Sequence, residues 1–446
     1  MARPRGRPPA TGSPTANGPA RSDVHSRATP ELGLSQPRRV GPQSGAAESA
    51  ILDVVVLGGA GHVGLPLSLA FAAAGCRVGI YDTNEAALDL IRAGRMPFRE
   101  EGAEELLGNL LPSGRLELAS HPEVLSRTGV VVIVIGTPVD EFLGPSMTVF
   151  ERTVEEITPH LRDGALVVLR STVYPGTSER VSRQLAARGR RVDVVFCPER
   201  IAEGHALEEI ATLPQIVGAD DPAAGDRAEA LFRRVTHKVI RTTTREAELA
   251  KLLTNTWRYM KFAIANQFFM IAHSAGVDYT NLLRAIREDY PRAADLPGPG
   301  FAAGPCLFKD TMQLAAFTAD HFPMGHSAML INEGMPAYIV AALERRYSSL
   351  TDRTVGILGM AFKAESDDPR ASLSYKLRKL LGWAGARVLC TDPYVKDERL
   401  VPLAEVIGCA EIIILGVPHR AYRGLTFPDG RDVVDIWGAL GNGIRL

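Results

Sequence analysis

Residues 298–310, Gly-Pro-Gly-Phe-Ala-Ala-Gly-Pro-Cys-Leu-Phe-Lys-Asp, set one thiol between a glycine-rich loop and two charged side chains. A cation such as Lys309 lowers the pKa of a neighbouring thiol, and the thiolate is the nucleophilic form of cysteine. A cysteine is equally often a small, inert residue of a hydrophobic core. The spacing alone therefore makes Cys306 a candidate nucleophile without deciding between the two roles.

Two further pairs of polar side chains have a spacing that suits chemistry on an oxygen atom. Lys251 and Asn255 stand four residues apart in a long apolar-periodic stretch without glycine or proline, so they share a helix face and could stabilise an oxyanion. Glu199 and Glu203 follow a predicted strand, at the sheet edge where ligands bind. An ordinary polar stripe and a solvated acidic loop explain the same residues, and from spacing alone the stripe is the more common case.

A glycine-rich turn near residue 59 is typical of dinucleotide binding. A predicted strand at 51–57 runs into Gly-Ala-Gly-His-Val-Gly at 59–64 and then into a helix at about 63–74. Glycines let the backbone approach a pyrophosphate, and the helix N-terminus supplies N–H donors. Asp82, after the second strand, would bind both ribose hydroxyls and repel a 2′-phosphate. The arrangement predicts NAD rather than NADP; a turn that serves only helix–strand packing is the alternative.

The elements that must position these residues form two similar halves around a helical middle. Predicted strands at 51–57, 77–81, 130–135, 165–169 and 192–196 alternate with helical patterns, as in a doubly wound parallel sheet. No strand pattern occurs from about 244 to 319. A second alternation begins near Thr354, with a turn that ends in Lys363. Taken alone, this second turn could bind a nucleotide or nothing.

The predicted fold class is therefore α/β, with two Rossmann-like doubly wound parallel sheets joined by a helical middle domain. The boundaries follow from the same patterns: a tail rich in Arg, Pro and Gly at 1–50, a dinucleotide-binding domain at 51–243, a helical domain carrying Cys306 at 244–335, and a second Rossmann-like domain at 336–446. The tail has too few apolar residues to offset chain entropy, so we predict that it is disordered.

Composition narrows the class of protein. The 446 residues carry 50 Lys and Arg against 51 Asp and Glu, which argues against a protein devoted to coating nucleic acid or a membrane. No run of about 18 apolar residues suits a membrane span, and five scattered cysteines suit neither a disulfide framework nor a metal site. We expect a cytoplasmic protein without a metal. The Arg-Pro-Arg-Gly-Arg-Pro run at 3–8 is similar to a minor-groove AT-hook, so a DNA-associated protein remains an alternative.

A series of motifs gives the chain, from Ile51 to its end, a resemblance to the UDP-glucose/GDP-mannose dehydrogenase family of nucleotide-sugar 6-dehydrogenases. The motifs, in order, are the turn at 59–64, Gly136-Thr137-Pro138, Ser171-Thr172-Val173-Tyr174-Pro175-Gly176-Thr177, Cys197-Pro198-Glu199, Glu248-Leu249-Ala250-Lys251 with Asn255, Gly304-Pro305-Cys306 with Lys309-Asp310, Ala361-Phe362-Lys363 and Asp368-Pro369-Arg370. Their shared order and spacing favour the nucleophilic role of Cys306.

The resemblance implies that a sugar C6 alcohol is oxidised to a carboxylate by two NAD+, through a thiohemiacetal and a thioester on Cys306, to supply precursors for polysaccharides or glycosides. Among the other implied catalytic residues, Lys251 and Asn255 would stabilise a negative oxygen. Asp310 and Glu199 would handle protons, and Thr172 would orient the C6 hydroxyl or a water. The implied NAD contacts are Gly59, Gly61, His62, Val63, Gly64, Asp82, Thr137, Pro138, Ser171, Glu203 and Arg370. The implied substrate contacts are Phe301, Phe362, Lys363 and, from a neighbouring subunit, Arg292.

The same resemblance implies a UDP-sugar as substrate for the domain at 336–446, and a homodimer or higher homo-oligomer built on the long middle helix. Two motifs imply different classes of sugar as the substrate. Cys-Pro-Glu-Arg at 197–200 is similar to enzymes for UDP-N-acetylhexosamines such as UDP-N-acetyl-D-mannosamine, whereas Lys309-Asp310 is similar to enzymes for UDP-glucose and GDP-mannose. Ala303 also replaces one of two glycines common in the family, which restricts the loop near the sugar.

A β-hydroxyacid dehydrogenase is the alternative within the oxidoreductases. Such enzymes join one Rossmann domain to a helical domain with a catalytic lysine, and they oxidise their substrate in a single step. They need neither a cysteine nor a second nucleotide fold, so the predicted domain at 336–446 argues against them.

Overall fold

The computed structural model describes residues 51–137, 140, 146–319, 321–441 and 443–446. The predicted tail with its arginine-rich run, and the predicted NAD contact Pro138, lie outside these residues. The described residues belong to one compact unit. None of the helices in this part of the chain combines the length and the apolarity that a membrane span requires.

Eight strands form the sheet of the first half: β1 Val54–Leu57, β2 Val78–Tyr81, β3 Leu116–Ala119, β4 Val130–Ile133, β5 Leu166–Leu169, β6 Asp193–Phe196, β7 Gln215–Gly218 and β8 Val239–Thr242. Their order is β3-β2-β1-β4-β5-β6-β7-β8, and every neighbouring pair is parallel except β6 and β7. The four residues of β1 are all buried, as a parallel strand covered on both faces requires.

Seven helices accompany this sheet: α1 Gly64–Ala73, α2 Glu85–Arg92, α3 Ala103–Leu110, α4 Thr148–Ile157, α5 Thr177–Ala187, α6 Ala206–Thr212 and α7 Pro222–Phe232. Successive side chains of β1 enter two different apolar clusters. Val54 and Val56 pack in the cluster that contains Leu67 of α1, whereas Val55 packs in the cluster that contains Phe150 of α4. Helices therefore cover both faces, which confirms the predicted doubly wound sheet.

The antiparallel pair is a departure from the all-parallel sheet that the sequence predicts. β7 meets β6 only where Phe196 faces Gly218, so β7 and β8 extend beyond the carboxyl end of β6. β8 ends at Thr242, level with Gly218. The next helix therefore starts at the carboxyl edge of the parallel strands, where ligands bind in this class of fold.

The middle of the chain is helical, as predicted, and consists of α8 Thr244–Ser274, α9 Tyr279–Arg287, α10 Leu307–Phe317 and α11 Pro323–Tyr347. The 31-residue α8 begins with a capping box: the Thr243 hydroxyl accepts the N–H of Glu246, and the Glu246 carboxylate accepts the N–H of Thr243. α11 runs without a break through residue 335, so the domain boundary predicted there falls inside a helix.

The second half contains β9 Thr354–Leu358, α12 Leu373–Trp383, β10 Arg387–Thr391, α13 Leu403–Cys409, β11 Ile412–Leu415 and β12 Asp432–Val434. Its strands have the order β10-β9-β11-β12, and all are parallel. This confirms the second Rossmann-like sheet. β9 leads into the turn that carries Phe362 and Lys363, at the carboxyl edge of the sheet.

Replacing Thr243 by Ala should lower the free energy of unfolding by about 1 kcal/mol, because the first turn of α8 loses a side-chain cap. Thr243→Ser keeps the hydroxyl and should retain most of the stability. Urea denaturation followed by circular dichroism measures both variants. An equal loss for the Ala and Ser variants would show that the hydroxyl does not cap the helix.

Candidate active site

Cys306 lies at the N-terminus of α10 and is exposed to solvent. The loop before it passes closely over the second half of the chain, since a Cβ added at Gly304 would lie 2.5 Å from the ring of Phe362. Gly304 also has a φ of +104°, which residues with a side chain rarely adopt. This glycine therefore brings the segment that carries the thiol against the turn after β9.

A buried carboxylate holds α10 against α8. Asp310, one turn into α10, is completely buried. Its Oδ2 accepts a hydrogen bond of 2.6 Å from the Asn255 amide, and the Lys309 ammonium lies 2.9 Å from its Oδ1. A buried carboxylate is tolerated when it is paired and hydrogen-bonded, and both conditions are met here. The contacts join three of the predicted site residues across two helices.

Lys251 lies on the same face of α8 as Asn255, as their spacing predicts, and both are buried. Its charge acts on the thiol of Cys306 together with that of Lys309. Two cations on different helices therefore lie near enough to influence the charge of the thiol. This is the environment in which a developing oxyanion next to the sulfur would be stabilised.

The charges around the thiol act in opposite directions. Cys306 reaches solvent, but the protein atoms packed around its loop displace part of the water near the sulfur, and this loss of hydration raises the pKa of the thiol; the Asp310 carboxylate raises the pKa further, whereas Lys251 and Lys309 lower it. Lys309 thus has the effect predicted from the sequence, but the net direction is upward. The resting thiol is therefore protonated at neutral pH and has to lose its proton as it attacks.

The loops after β4 and β5 meet α10 at the carboxyl edge of the first sheet. Lys309 Nζ donates to Thr137 Oγ1 at 3.3 Å, and the Thr137 hydroxyl donates to the carbonyl of Thr172. Ser171 Oγ accepts the N–H of Ile135 at 2.8 Å, which ties the two loops together. The predicted residues Thr137, Ser171 and Thr172 therefore form one connected set beside Lys309.

Glu199 is buried, with both carboxylate oxygens engaged. One oxygen forms an ion pair with Arg170, and the other accepts the N–H groups of Arg200 at 2.6 Å and Ile201 at 2.8 Å. Arg170 is itself buried and donates to the side chain of Gln215 at 2.8 Å. The structure thus places Glu199 where it fixes the turn after β6.

The glycine turn after β1 has the shape that a dinucleotide phosphate requires. A Cβ at Gly59 would lie 2.7 Å from the Val56 carbonyl oxygen, and one at Gly64 would lie 2.2 Å from the Gly58 carbonyl oxygen. These glycines let the N-terminus of α1, the positive end of the helix dipole, approach the end of β1, where a phosphate would be favoured. Asp82 accepts the N–H of Ala60 at 3.0 Å, at the predicted ribose position. These residues fit NAD.

A charged cluster connects the two halves of the chain. Lys363 Nζ donates to the carbonyl of Glu203, and Arg370 lies 3.7 Å from the Glu203 carboxylate. His62, Glu203 and Asp368 bring potential ligand atoms within 4.8 Å of one another. The Arg370 guanidinium, however, donates to both oxygens of Asp368 at 2.6–3.0 Å, so a cation already neutralises this carboxylate. The cluster is therefore an ion-pair network.

Two predicted substrate contacts lie apart from this network. Phe301 is buried, and its ring meets that of Trp437 edge-on with a centroid distance of 6.5 Å. Arg292 is exposed, with its guanidinium 5.9 Å from the ring centroid of Tyr290. Phe301 therefore packs the loop before Cys306 onto the second half.

Three family models match the chain in consecutive segments. The NAD binding domain of the UDP-glucose/GDP-mannose dehydrogenase family matches residues 53–236, the central domain of this family matches 245–334, and its UDP binding domain matches 356–441. The chain belongs to this family. It is therefore an NAD-dependent nucleotide-sugar dehydrogenase, which confirms the predicted cofactor and enzyme class.

Curated and solved members of the family differ in the sugar that their names give. A UDP-N-acetyl-D-mannosamine dehydrogenase of Pyrococcus horikoshii is 29% identical over 405 residues, which cover 88% of this chain and 93% of that one. An NDP-N-acetyl-D-galactosaminuronic acid dehydrogenase of Ralstonia nicotianae is 28% identical over 82% of this chain and 91% of its own. The solved structure of a UDP-glucose dehydrogenase from Pyrobaculum islandicum is 30% identical, with a TM-score of 0.82, over 91% of this chain and 99% of that chain.

Two further residues near the predicted site were given no role from the sequence. Glu248 is buried and accepts the N–H groups of Gly176 at 2.6 Å and Ser178 at 2.9 Å, which fixes α8 to the start of α5. Arg258 lies close enough to Lys363 to contribute to lowering its pKa, after the larger effect of burial. Arg258 is seven residues after Lys251, so helical periodicity was the signal that could have found it.

Removing the charges near the thiol should change its reactivity in opposite directions. Asp310→Asn should lower the pKa of Cys306 and speed its alkylation near neutral pH, whereas Lys251→Met should raise the pKa and slow alkylation. Iodoacetamide labelling over a pH series, read by mass spectrometry of the Cys306 peptide, measures both effects. Cys409, the other exposed cysteine, is the internal control. Shifts of the same sign in both variants would contradict this electrostatic account.

Proposed function

We propose that this enzyme oxidises the C6 alcohol of a UDP-hexose or UDP-N-acetylhexosamine to the carboxylate. Each turnover would consume two NAD+ and one water and release two NADH, with the product serving as a precursor for polysaccharides or glycosides. The observation that supports this proposal most strongly is the position of Cys306, an exposed thiol with Lys251 and the Asn255–Asp310 pair beside it. A single-step alcohol dehydrogenase has no use for a nucleophile at this place.

Bound NAD+ supplies a hydride acceptor for each of the two oxidations. The side chains of the enzyme would orient the substrate oxygen and accept or donate the protons. Thr172, whose carbonyl is fixed by the Thr137 hydroxyl, would orient the C6 hydroxyl. Lys251 and the Asn255 amide would donate to the substrate oxygen as negative charge develops on it.

Cys306 would act after the first oxidation, because an aldehyde carbon has to gain a substituent before it can be oxidised again. The sulfur forms a bond to the carbonyl carbon, the carbonyl oxygen becomes an alkoxide, and the thiol proton leaves. Asp310 is completely buried, and its charge acts on the Cys306 thiol. It would take this proton through a water. Lys251 would stabilise the alkoxide until the second oxidation gives a thioester.

Hydrolysis would free the enzyme from the thioester. A water adds to the acyl carbon, the carbon–sulfur bond breaks, and the sulfur leaves as a thiolate that regains a proton. Glu199 was predicted to handle protons in these steps. Because both its oxygens are engaged with Arg170 and backbone N–H groups, we propose instead that it positions the loop at 197–205.

The two nucleotides would bind on opposite sides of this chemistry. The turn at 59–64, with Asp82, Glu203 and Arg370, would hold NAD+. Phe362 and Lys363 would hold the UDP group, with Arg258 as a further cation near its phosphates. Burial lowers the pKa of Lys363, and a phosphate would restore a partner for its charge. Phe301 would support the substrate loop, and Arg292 would reach the sugar of a neighbouring subunit.

The test of the reaction type is the ratio of NADH formed to sugar consumed. We expect about two NADH per sugar, with no free aldehyde, for one member of a panel of UDP-glucose, UDP-N-acetylmannosamine, UDP-N-acetylglucosamine and GDP-mannose. Absorbance at the NADH band and chromatography of the sugar nucleotide measure the two quantities. A ratio of one with accumulating aldehyde would contradict the proposal and support a single-step dehydrogenase.

Replacing Cys306 by Ser should reduce uronate formation by at least about 1000-fold, because the attacking thiol is lost. NAD+ and UDP should still bind, since neither proposed nucleotide site includes the sulfur. Cys409→Ser is the matched control, because it removes the other exposed thiol. Undiminished uronate formation by the Cys306 variant would contradict a covalent intermediate on this sulfur.

We also propose that a second copy of this chain covers an exposed apolar flank of α8. This flank carries Leu253, Trp257, Ile264, Phe268 and Ile271, which are 38–58% exposed. Their spacing of three, four and seven residues places them along one side of the helix. Isolated surface residues of this size need no explanation, but a continuous row on a long helix is typical of an interface.

Phe268→Glu should convert the proposed dimer to a monomer, because it would bury a charge without a partner in the interface. Light scattering coupled to size exclusion measures the molar mass. Trp383→Glu is the control, since Trp383 is 72% exposed and lies on a different helix, α12. A wild-type enzyme that is monomeric, or a Phe268 variant that stays dimeric, would contradict this assembly.

A further inference from the structure

The three consecutive residues Phe98, Arg99 and Glu100 each contact a different loop near the proposed nucleotide sites. They lie between α2 and α3 in the first half of the chain. None of them belongs to the motifs that identify the family site. Because these three residues are consecutive, one short segment connects the three loops, and a displacement of one loop would act on the other two.

Phe98 contacts the dinucleotide turn. Its ring is stacked on the imidazole of His62, with a centroid distance of 4.1 Å and an interplanar angle of 19°. Phe98 is 8% exposed, so its ring is fixed by surrounding packing as well. The orientation of His62 therefore depends on the position of this segment.

Glu100 contacts the loop at 197–205, which carries Glu203. Its carboxylate accepts the N–H of Gly204 at 2.8 Å and the N–H of Ala206 at 2.6 Å. Glu100 is buried, and these two hydrogen bonds compensate for the loss of water. This side chain is therefore a fixed support for the loop that meets Arg370 and Lys363.

Arg99 reaches the second half of the chain. The Arg99 guanidinium lies 3.9 Å from the ring centroid of Tyr394 and 3.4 Å from the Glu365 carboxylate. The backbone N–H of Arg99 donates to the Asp367 carboxylate at 3.2 Å. Glu365 and Asp367 belong to the loop that carries Lys363. A movement of Lys363 on binding a phosphate would therefore act directly on Arg99.

The contacts of Arg99 are of a kind that forms and breaks easily. Its side chain is 45% exposed, and it borders a cavity of about 300 Å³ between the two halves, which is also lined by Glu100, Gly204, His205, Glu365 and Arg420. Two hydrogen bonds fix Glu365: its backbone N–H donates to His419 Nδ1 at 3.0 Å, and its carboxylate accepts the backbone N–H of Arg420 at 2.7 Å. Because the loop that carries Glu365 is fixed and the Arg99 side chain is exposed, the contact between them depends on the position of this loop.

We propose that Arg99, within the segment Phe98-Arg99-Glu100, is a positioning residue that couples the two nucleotide sites, so that a bound UDP group tightens the binding of NAD+. The inference rests on the proposed function, because it takes the turn at 59–64 as the NAD+ site and Lys363 as a UDP contact. By linkage, NAD+ then tightens the binding of UDP by the same factor.

The test is the dissociation constant of NAD+, measured by calorimetry on the full-length enzyme with and without saturating UDP. We expect UDP to lower this constant by about fivefold or more in the wild type, and by a factor near one in Arg99→Ala. Arg92→Ala is the matched control, since Arg92 is 46% exposed and pairs only with Asp89 and Glu85 among the described carboxylates. It should retain the wild-type factor. Tyr394→Leu, which removes the ring under Arg99 from the other half, should lose the coupling as Arg99→Ala does.

The outcomes separate this inference from the proposed function. If the wild type binds both ligands independently, or if Arg99→Ala keeps the full coupling factor, Arg99 does not couple the sites although the enzyme still has them. If the wild type binds neither UDP nor NAD+, the proposed function fails and the coupling fails with it. A merely structural role for Arg99 would weaken both ligands without changing the factor that relates them.

Discussion

The buried carboxylate of Asp310 is the constraint on which the arrangement of the active site depends. A charged oxygen pair without access to water has to be neutralised and hydrogen-bonded, and Asn255 from α8 and Lys309 from α10 meet this need. The hydrogen bond from Asn255 to Asp310 links α8 and α10 in the register that the structure shows. That register places Cys306, at the start of α10, beside Lys251 on α8, so one interaction determines both the geometry and the electrostatics of the thiol.

The position of α8 depends in turn on an irregularity of the first sheet. The parallel strands β1 to β6 end at the edge where ligands bind. Because β7 is antiparallel to β6 and overlaps it at a single pair, β8 ends at that edge and α8 starts there. Glu248 then fixes the helix to the start of α5 through two backbone N–H groups. The end of β8 and the two hydrogen bonds of Glu248 thus place the start of α8, with Lys251 and Asn255, at the site.

Local patterns in the sequence predicted the parts of the structure that depend on local physics. Buried β-branched runs identified β1 and β5, and the turn at 59–64 with Asp82 identified the cofactor, because each requirement is confined to a few neighbouring residues. β3, β7 and β8 were not predicted. The residues of β3 and β8 are half-buried or exposed and carry a weak pattern, whereas β7 is buried but only four residues long. The engagement of Glu199 by Arg170 and the contacts of Phe98, Arg99 and Glu100 depend on residues distant in sequence. Spacing along the chain carries no information about such partners.

The most direct test of the account is to detect the substrate on the sulfur of Cys306. The enzyme is mixed with NAD+ and its UDP-sugar, quenched in acid within one turnover, digested, and examined by mass spectrometry. We predict an acyl adduct on the peptide that carries Cys306 when both NAD+ and sugar are present, and an unmodified peptide when NAD+ is omitted. Uronate formation without any adduct on this peptide, at a rate unaffected by prior alkylation of Cys306, would contradict the account.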